Sequence, residues 1–142
     1  LTHNGITEGI AYDPKGELAV GPFSITFLKT VHPVPCYAMR ITAGDNTIVY
    51  TADSSYIPEF VPFAKGADLL ICECNFYAGQ NAAPAGHMTS EEAATIAEGA
   101  GVGELWLTHL PHIGRHEQLI EEAGRTFRGV IRLARTGLVW ER

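Results

Sequence analysis

The sequence has little cysteine, no long hydrophobic run and no glycine-rich phosphate-binding turn, and each absence removes a class of protein. Its 142 residues include three cysteines, a small and odd number that argues against a disulfide-stapled scaffold. No apolar run approaches the roughly 18 residues of a membrane-spanning helix, and the first residues show no signal-peptide pattern. The missing glycine-rich loop argues against a flavodoxin-like or nucleotide-binding domain. We therefore expect a soluble, cytoplasmic protein without membrane contact.

The composition is that of one packed domain. Hydrophobic residues make up 46% of the chain and charged residues 18%, so a single core can form without disulfides. Cys72 and Cys74 alternate along the apparent strand 69–74, and a C-x-C pair alone does not match the usual spacing of structural zinc sites. We expect these two residues and Cys36 to be reduced, buried cysteines, which favours a reducing compartment.

Charge is distributed unevenly along the chain. The net charge is −6, yet basic residues outnumber acidic ones after residue 114. Two interpretations stay open: a basic surface that contacts nucleic acid or phosphate, or ordinary solvated arginines on a helix and on strand faces. The side chains concerned are Arg115, Arg125, Arg128, Arg132 and Arg135.

Hydrophobic periodicity and turn residues predict an α/β fold. Strands are predicted at residues 17–20, 23–29, 36–42, 47–51, 68–73, 104–107, 130–133 and 138–140. Helices are predicted at residues 57–65, 89–99 and 117–127, the second opened by Thr89-Ser90-Glu91-Glu92. A hairpin half followed by repeated strand–helix units implies a mixed sheet with helices on one face.

Two segments carry no regular pattern. Residues 1–17 are rich in turn-forming Gly and Pro and are predicted to be a linker. Residues 74–86 form a polar loop between a buried strand and a helix. Loops of that length in compact domains often carry function.

Three metal-competent side chains stand just after predicted strands: His32, Asp53 and His109. Pro33 stiffens the segment around His32. Because strand ends meet at one sheet edge, the three groups can share a site, and the aspartate can bridge two cations there. Plain alternatives remain, since Asp53 can cap the following helix and a lone histidine is more often a surface or hydrogen-bonded core residue.

Three further histidines lie downstream of Asp53. His87 stands at the mouth of the second predicted helix, where it can donate a proton to a leaving oxygen or shield the first helical turn. His112 and His116 follow His109 closely, and we expect them to face solvent or to support the ligands.

Taken in order, these motifs resemble the metallo-β-lactamase superfamily, and within it the ribonuclease-Z-like branch of metal-dependent hydrolases. The resemblance covers about residues 18–140. It rests on segments that stand in the family's order: Val31-His32, Tyr50-Thr51-Ala52-Asp53-Ser54, Ile71-Cys72-Glu73-Cys74-Asn75-Phe76-Tyr77, Gly86-His87-Met88-Thr89 and Leu107-Thr108-His109.

The resemblance implies a centre of two zinc-class ions, with His32 on one ion, His109 on the other and Asp53 bridging them. It also implies that His87 protonates or stabilises the leaving oxygen and that Glu73 orients His87. The implied catalytic set is Asp53, His87 and Glu73. The implied substrate is an anionic phosphodiester, either a small molecule or a nucleic acid.

One family motif is missing from the chain. The superfamily carries His-x-His-x-Asp-His in its N-terminal half, which supplies most metal ligands, whereas this sequence offers only His3 before His32. The resemblance therefore implies the C-terminal half of an αββα sandwich, a partial hydrolase domain over residues 1–142. Residues 1–17 would then be a linker or a remnant of the missing half. Its two zinc sites are expected to be incomplete or empty in this chain alone.

A half-sandwich leaves one apolar sheet face uncovered. We expect such a chain to self-associate or to be marginally stable by itself. Apart from that face, we expect the intact protein to be a homo-oligomer, a dimer. The alternative is a non-catalytic interaction or assembly module that kept the half-fold and lost its metals.

Overall fold

The computed structural model describes residues 9–141 and is organised around one sheet whose strands follow the order of the chain. The strands are β1 (Leu18–Val20), β2 (Phe23–Lys29), β3 (Tyr37–Ala43), β4 (Asn46–Tyr50), β5 (Leu69–Glu73), β6 (Glu104–Thr108) and β7 (Val130–Leu133). Strands β1 to β4 are antiparallel, whereas β4 to β7 are parallel. The predicted mixed α/β sheet is therefore confirmed.

The turn between β3 and β4 shows why the chain reverses where it does. Ala43 pairs with Asn46, which leaves a two-residue turn. Gly44 has a φ of 56°, a left-handed conformation that glycine adopts without steric cost.

Three helices connect the parallel strands: α1 (Phe60–Phe63), α2 (Ser90–Ala100) and α3 (His116–Ala123), with a 3₁₀ turn at Ala83–Ala85. The predicted start of α2 is confirmed. Thr89 accepts a hydrogen bond from the Glu92 backbone at 3.2 Å, and the Glu92 carboxylate accepts one from the Thr89 backbone at 2.8 Å. This reciprocal pairing satisfies two donors that a helix start leaves open.

The core lies between the helices and one face of the sheet. Val49, Leu70 and Leu105 occupy paired positions on neighbouring strands and are fully buried. Helical side chains that include Ile96 and Leu119 pack in the same cluster. All three helices contribute to this cluster, so helices on one face of the sheet are confirmed as well.

The opposite face of the sheet has a different character. Side chains alternate along a strand, so Ile48 and Ile71 point away from the helices, and both are only partly buried. Trp106 is buried on that face, and its indole N–H donates to Glu104 at 2.7 Å.

Three predicted elements differ from the structure. The strand at 138–140 is wrong: the Leu138 backbone N–H donates to the Arg135 carbonyl at 3.1 Å, and Gly137 has a φ of 82°, so the chain turns instead of extending beside β7. The first and third helices are shorter than predicted. Pro58 lies in a turn that precedes α1. The residues from Gly124 onward form turns and do not continue α3.

Among the described residues, no helix is long and apolar enough to cross a membrane. Cys72 and Cys74 are buried as predicted, whereas Cys36 is half-buried; all three are free thiols. His3 and the first part of the predicted linker lie outside residues 9–141.

Candidate active site

The site lies where β4, β5 and β6 end side by side. Glu73 is the last residue of β5 and pairs with Thr108 of β6. Asp53 follows β4, and His109 follows β6 directly. The parallel direction of these strands therefore brings carboxylates and an imidazole to one edge of the sheet.

A buried glutamate holds one histidine of the site. Glu73 is fully buried, and its Oε1 lies 2.8 Å from Nδ1 of His87, whose side chain is 15% exposed. The same carboxylate accepts backbone hydrogen bonds from Ser54 at 3.1 Å and Asn75 at 3.2 Å. With Nδ1 held by Glu73, the other ring nitrogen of His87 is the one left for chemistry.

Burial raises the pKa of Glu73. Hydrogen bonds from the Ser54 and Met88 backbones and from His87 work in the opposite direction, because they stabilise the carboxylate. The net rise means that this carboxyl group binds its proton more readily in the folded protein than in water. The hydrogen bonds from these partners oppose that rise and favour the ionised form, which accepts from Nδ1 of His87.

Three imidazoles gather over this carboxylate. The His87 ring centroid lies 5.2 Å from that of His32 and 4.9 Å from that of His109. Nε2 of His109 lies 3.9 Å from Oδ2 of Asp53, and both side chains are partly exposed. The structure thus brings together His32, Asp53, His87 and His109 around Glu73.

The backbone is strained at this edge. Among residues 9–141, the non-glycine residues with positive φ are Ala52, at 52°, and His109, at 49°. A left-handed conformation costs an ordinary residue roughly 1–2 kcal/mol. Ala52 precedes Asp53 and the other is a site histidine, so the strain lies at the two strand ends that bear these groups.

Two residues that sequence reasoning missed fix the geometry. The Ser54 hydroxyl accepts a hydrogen bond from the Val31 backbone at 3.1 Å, which ties the segment of His32 to the segment of Asp53. The Asn75 side-chain amide donates to the His109 carbonyl at 3.0 Å. Ser54 directly follows Asp53, and Asn75 follows Glu73 by two positions, so adjacency to the candidates was the available signal.

Gly86 allows the segment before His87 to approach the segment of His32 closely. A Cβ atom there would lie 2.6 Å from Cδ of Pro33 and 3.2 Å from the ring of His32, and its φ is 78°. Only glycine therefore allows the backbone before His87 to pack on the segment of His32.

Two other sequence expectations concerned Asp53 as a helix cap and the histidines His112 and His116, which take no part in this cluster. Asp53 is not a helix cap, because α1 begins only at Phe60. His112 is exposed, and Nε2 of His116 donates to the Pro111 carbonyl at 2.8 Å.

Several of the C-terminal arginines already have partners within the chain. Arg115 pairs with Glu121 at 3.4 Å, and Arg128 donates to the Gly124 carbonyl at 3.2 Å. Arg132 pairs with Glu104. These contacts favour ordinary surface arginines over a dedicated phosphate-binding surface.

The donors fit a metal ion only in part. Across the described residues, no three His, Cys, Asp or Glu side chains are close enough together to hold one. Asp53 and His109 face each other at a distance that two ligands of one ion can adopt after a small adjustment. The chain therefore supplies an incomplete donor set.

Comparisons with known proteins identify what the chain is similar to. The model of the β-lactamase superfamily domain matches residues 3–110. The probable metallo-hydrolase YhfI of Bacillus subtilis is 61% identical over 141 residues, which cover 99% of this chain and 58% of the relative. The crystal structure of YhfI matches with a TM-score of 0.96 at 59% identity, over 98% of this chain and 58% of that one.

A more distant match concerns a smaller part of the chain. A ribonuclease Z of Lachnoclostridium phytofermentans is 40% identical over 84 residues, covering 56% of this chain and 28% of the relative. The chain thus spans well under two thirds of the length of these relatives.

Proposed function

The chain belongs to the metallo-β-lactamase superfamily, and from that membership we propose that the protein is a metal-dependent phosphodiesterase of the ribonuclease-Z-like kind. The observation that carries the proposal is the buried Glu73–His87 pair beside Asp53 and His109. A positioned imidazole next to a group that can hold a cation is an arrangement that promotes hydrolysis of a stable ester.

The chain's own residues would divide the work. His32 and His109 would each hold one of two zinc-class ions, with Asp53 between them and the remaining donors supplied from outside the described residues. Such ions, when bound, lower the pKa of water and polarise a phosphoryl oxygen.

His87 is proposed to act on the leaving group. Its Nδ1 is held by Glu73, so a proton on its other ring nitrogen can pass to the oxygen that leaves. Glu73 touches no substrate in this scheme and is a positioning residue. Ser54 helps to position both Glu73 and His32, because its backbone N–H donates to Glu73 and its hydroxyl accepts from the backbone of Val31, next to His32.

An anionic phosphodiester, in a small molecule or a nucleic acid, is the proposed substrate. The relatives named ribonuclease Z support this class, as does a site whose groups are imidazoles and whose proposed ions carry positive charge.

The partly covered face of the sheet supports a proposal about the working protein. Half-buried apolar residues such as Ile48 and Ile71 lie on the face away from the helices. We propose that a further layer of the domain covers this face in the working protein and that the chain alone self-associates. Sedimentation of the isolated chain tests the self-association, and a stable monomer at all concentrations would contradict it. A cytoplasmic dimer is a separate proposal for the working protein.

A non-catalytic assembly module is the second candidate. It is favoured by the donor set, since no three His, Cys, Asp or Glu side chains in the described part of the chain are placed to hold one ion. Tight, stoichiometric zinc in the intact protein, measured by atomic spectroscopy, would exclude it.

The decisive experiment is hydrolysis of bis(p-nitrophenyl) phosphate by the intact protein carrying Asp53→Ala. We expect at least about a thousandfold loss of kcat/KM with an unchanged circular dichroism spectrum. Glu98→Gln is the control, since Glu98 is an exposed carboxylate near the far end of α2. Unaltered turnover in Asp53→Ala would refute the assignment.

A further inference from the structure

A cavity of about 440 Å³ lies beside the imidazole cluster, between the loop that follows β5 and the loop that follows β6. Its walls are largely apolar and aromatic and include Phe76, Tyr77, Pro111 and Ile113. None of these residues has a part in the proposed chemistry. The cavity is therefore a binding space next to the imidazoles and not the place where the proposed chemistry occurs.

The cavity adjoins the reacting centre on two sides. The Phe76 ring centroid lies 6.3 Å from that of His87. Asn75, another wall residue, donates to the carbonyl of His109. A group held in the cavity would thus be attached to, or close to, a phosphate placed at the imidazoles.

The cavity is held open by bonds that cross between its walls. The Tyr77 hydroxyl donates to the Ile113 carbonyl at 3.0 Å. Gly114, with a φ of 97°, packs so closely on the Tyr77 ring that any side chain there would collide with it. The Ala78 backbone N–H donates to the buried carboxylate of Glu122 at 2.8 Å, which anchors the same loop to α3. These contacts preorganise the walls, so binding need not order them.

The rim contains an apolar side chain that the fold does not use. Ile113 is 82% exposed, a high value for an isoleucine in a loop that is otherwise anchored. At the mouth of a preformed apolar cavity, such a side chain would bury apolar surface by covering a flat bound ring, which favours binding.

Polar groups line the same space. Gln80 accepts the Tyr77 backbone N–H through its carbonyl oxygen at 2.8 Å, and Asn75 donates its amide to His109. In the described structure this leaves the amide nitrogen of Gln80 and the carbonyl oxygen of Asn75 as a donor and an acceptor on the cavity wall. His112 adds an exposed imidazole.

We propose that this cavity is a subsite for a nucleobase of the substrate. An aromatic wall, an aliphatic rim and a donor–acceptor pair of amide groups match the flat faces and polar edge of a base. The inference rests on the proposed phosphodiesterase function and deepens it.

The test uses esters that share a leaving group and differ in the part that is retained. The intact protein is given the p-nitrophenyl esters of thymidine 5′-phosphate, methyl phosphate and phenyl phosphate. We expect KM for the thymidine ester to be about tenfold below that for the methyl ester, the order expected for one stacked base.

The variant Ile113→Ala should reduce this advantage about threefold while leaving the methyl ester unaffected. Val34→Ala is the matched control, because Val34 is a 62%-exposed aliphatic residue in another loop near the site and does not line the cavity. Equilibrium dialysis provides a readout besides activity: thymidine 5′-monophosphate should bind more tightly than deoxyribose 5-phosphate.

Each outcome is decisive for one of the two proposals. Equal KM values for the thymidine and methyl esters in an active enzyme would overturn the base site and leave the hydrolase intact. Equal KM values for thymidine and phenyl esters would overturn recognition of a base in favour of any flat ring. Base-dependent dialysis without hydrolysis of any ester would support the cavity and refute the phosphodiesterase.

Discussion

The layer between sheet and helices and the edge where β4 to β6 end are built on opposite principles. In the layer, Val49, Leu70 and Leu105 are apolar, fully buried and in ordinary strand geometry. At the edge, Thr51, Ser54, Ser55 and Glu73 are buried polar groups, and the chain adopts left-handed conformations. The layer gains stability from burial, whereas the edge uses hydrogen bonds and strain to hold side chains in place.

This difference predicts which property, stability or turnover, a substitution in each region should change. Changes in the layer should lower the free energy of unfolding without altering the chemistry of folded molecules. Changes at the edge should alter turnover more than stability. Four substitutions test this division, in order of expected effect.

Leu105→Ala should have the largest effect on stability. It leaves a cavity under the helices, and we expect a loss of about 2–5 kcal/mol in the free energy of unfolding. Urea denaturation measures the loss, and turnover per folded molecule should stay unchanged. Val139→Ala, at a 71%-exposed position, should change stability by less than about 0.5 kcal/mol. A similar loss for both variants would break the comparison.

Glu73→Gln tests a residue that serves both purposes. The amide cannot accept from His87 and two backbone N–H groups as the carboxylate does, so we expect a loss of about 1–3 kcal/mol in stability. Turnover should fall about 10- to 100-fold because His87 is no longer oriented. His87→Gln should lower turnover with a smaller stability change. Additive effects in the double variant would contradict a shared role.

Glu122→Gln, in α3, should remove part of the pH dependence of the free energy of unfolding. Burial alone would raise the pKa of Glu122, but hydrogen bonds from Ser90, Ala78 and Gln118 lower it below its ordinary 4.5. The carboxylate is thus favoured on folding, and its stabilisation is present above pH 4.5 and lost as pH falls through the folded-state pKa.

The variant should therefore be less stable than the parent near neutral pH, by about 1–2 kcal/mol, and the two should converge in acid. Denaturation curves collected from pH 3 to pH 7 measure this. Glu121→Gln, on the exposed side of α3, should leave the pH profile unchanged. Parallel profiles for the parent and Glu122→Gln would contradict the assignment.

Ala52→Gly should have the smallest effect and the opposite sign. Relief of the left-handed φ offsets the added freedom of the unfolded chain, and we expect a net gain of up to about 1 kcal/mol. Ala43→Gly, at the end of β3 in ordinary strand geometry, should instead lose about 0.5–1 kcal/mol. A loss at both positions, measured by urea denaturation, would mean that the edge is not strained at Ala52.

The sequence predicted the sheet and the site candidates because both depend on local patterns. Apolar runs locate the strands, and His32, Asp53 and His109 stand beside those runs. It did not predict the roles of Ser54 and Asn75, because their partners, Val31 and His109, lie more than twenty positions away. The failed strand at 138–140 shows the limit of composition: three apolar residues satisfied the pattern, but Gly137 and the turn before it direct the chain elsewhere.

The order of the strands also bears on how the site comes into existence. Neighbours in the antiparallel half are close in sequence, as Ile41 and Ile48 are, whereas Leu69 pairs with Glu104 across the whole of α2. Local pairs form sooner than distant ones, because less chain entropy is lost in closing the loop. The hairpins of β2 to β4 should therefore appear early in refolding, and His109 should reach Asp53 only in the last phase. In a refolding experiment on the intact protein, backbone circular dichroism should recover ahead of the proposed hydrolytic activity, so newly made chains would pass through a stage that has a sheet but lacks the approach of His109 to Asp53.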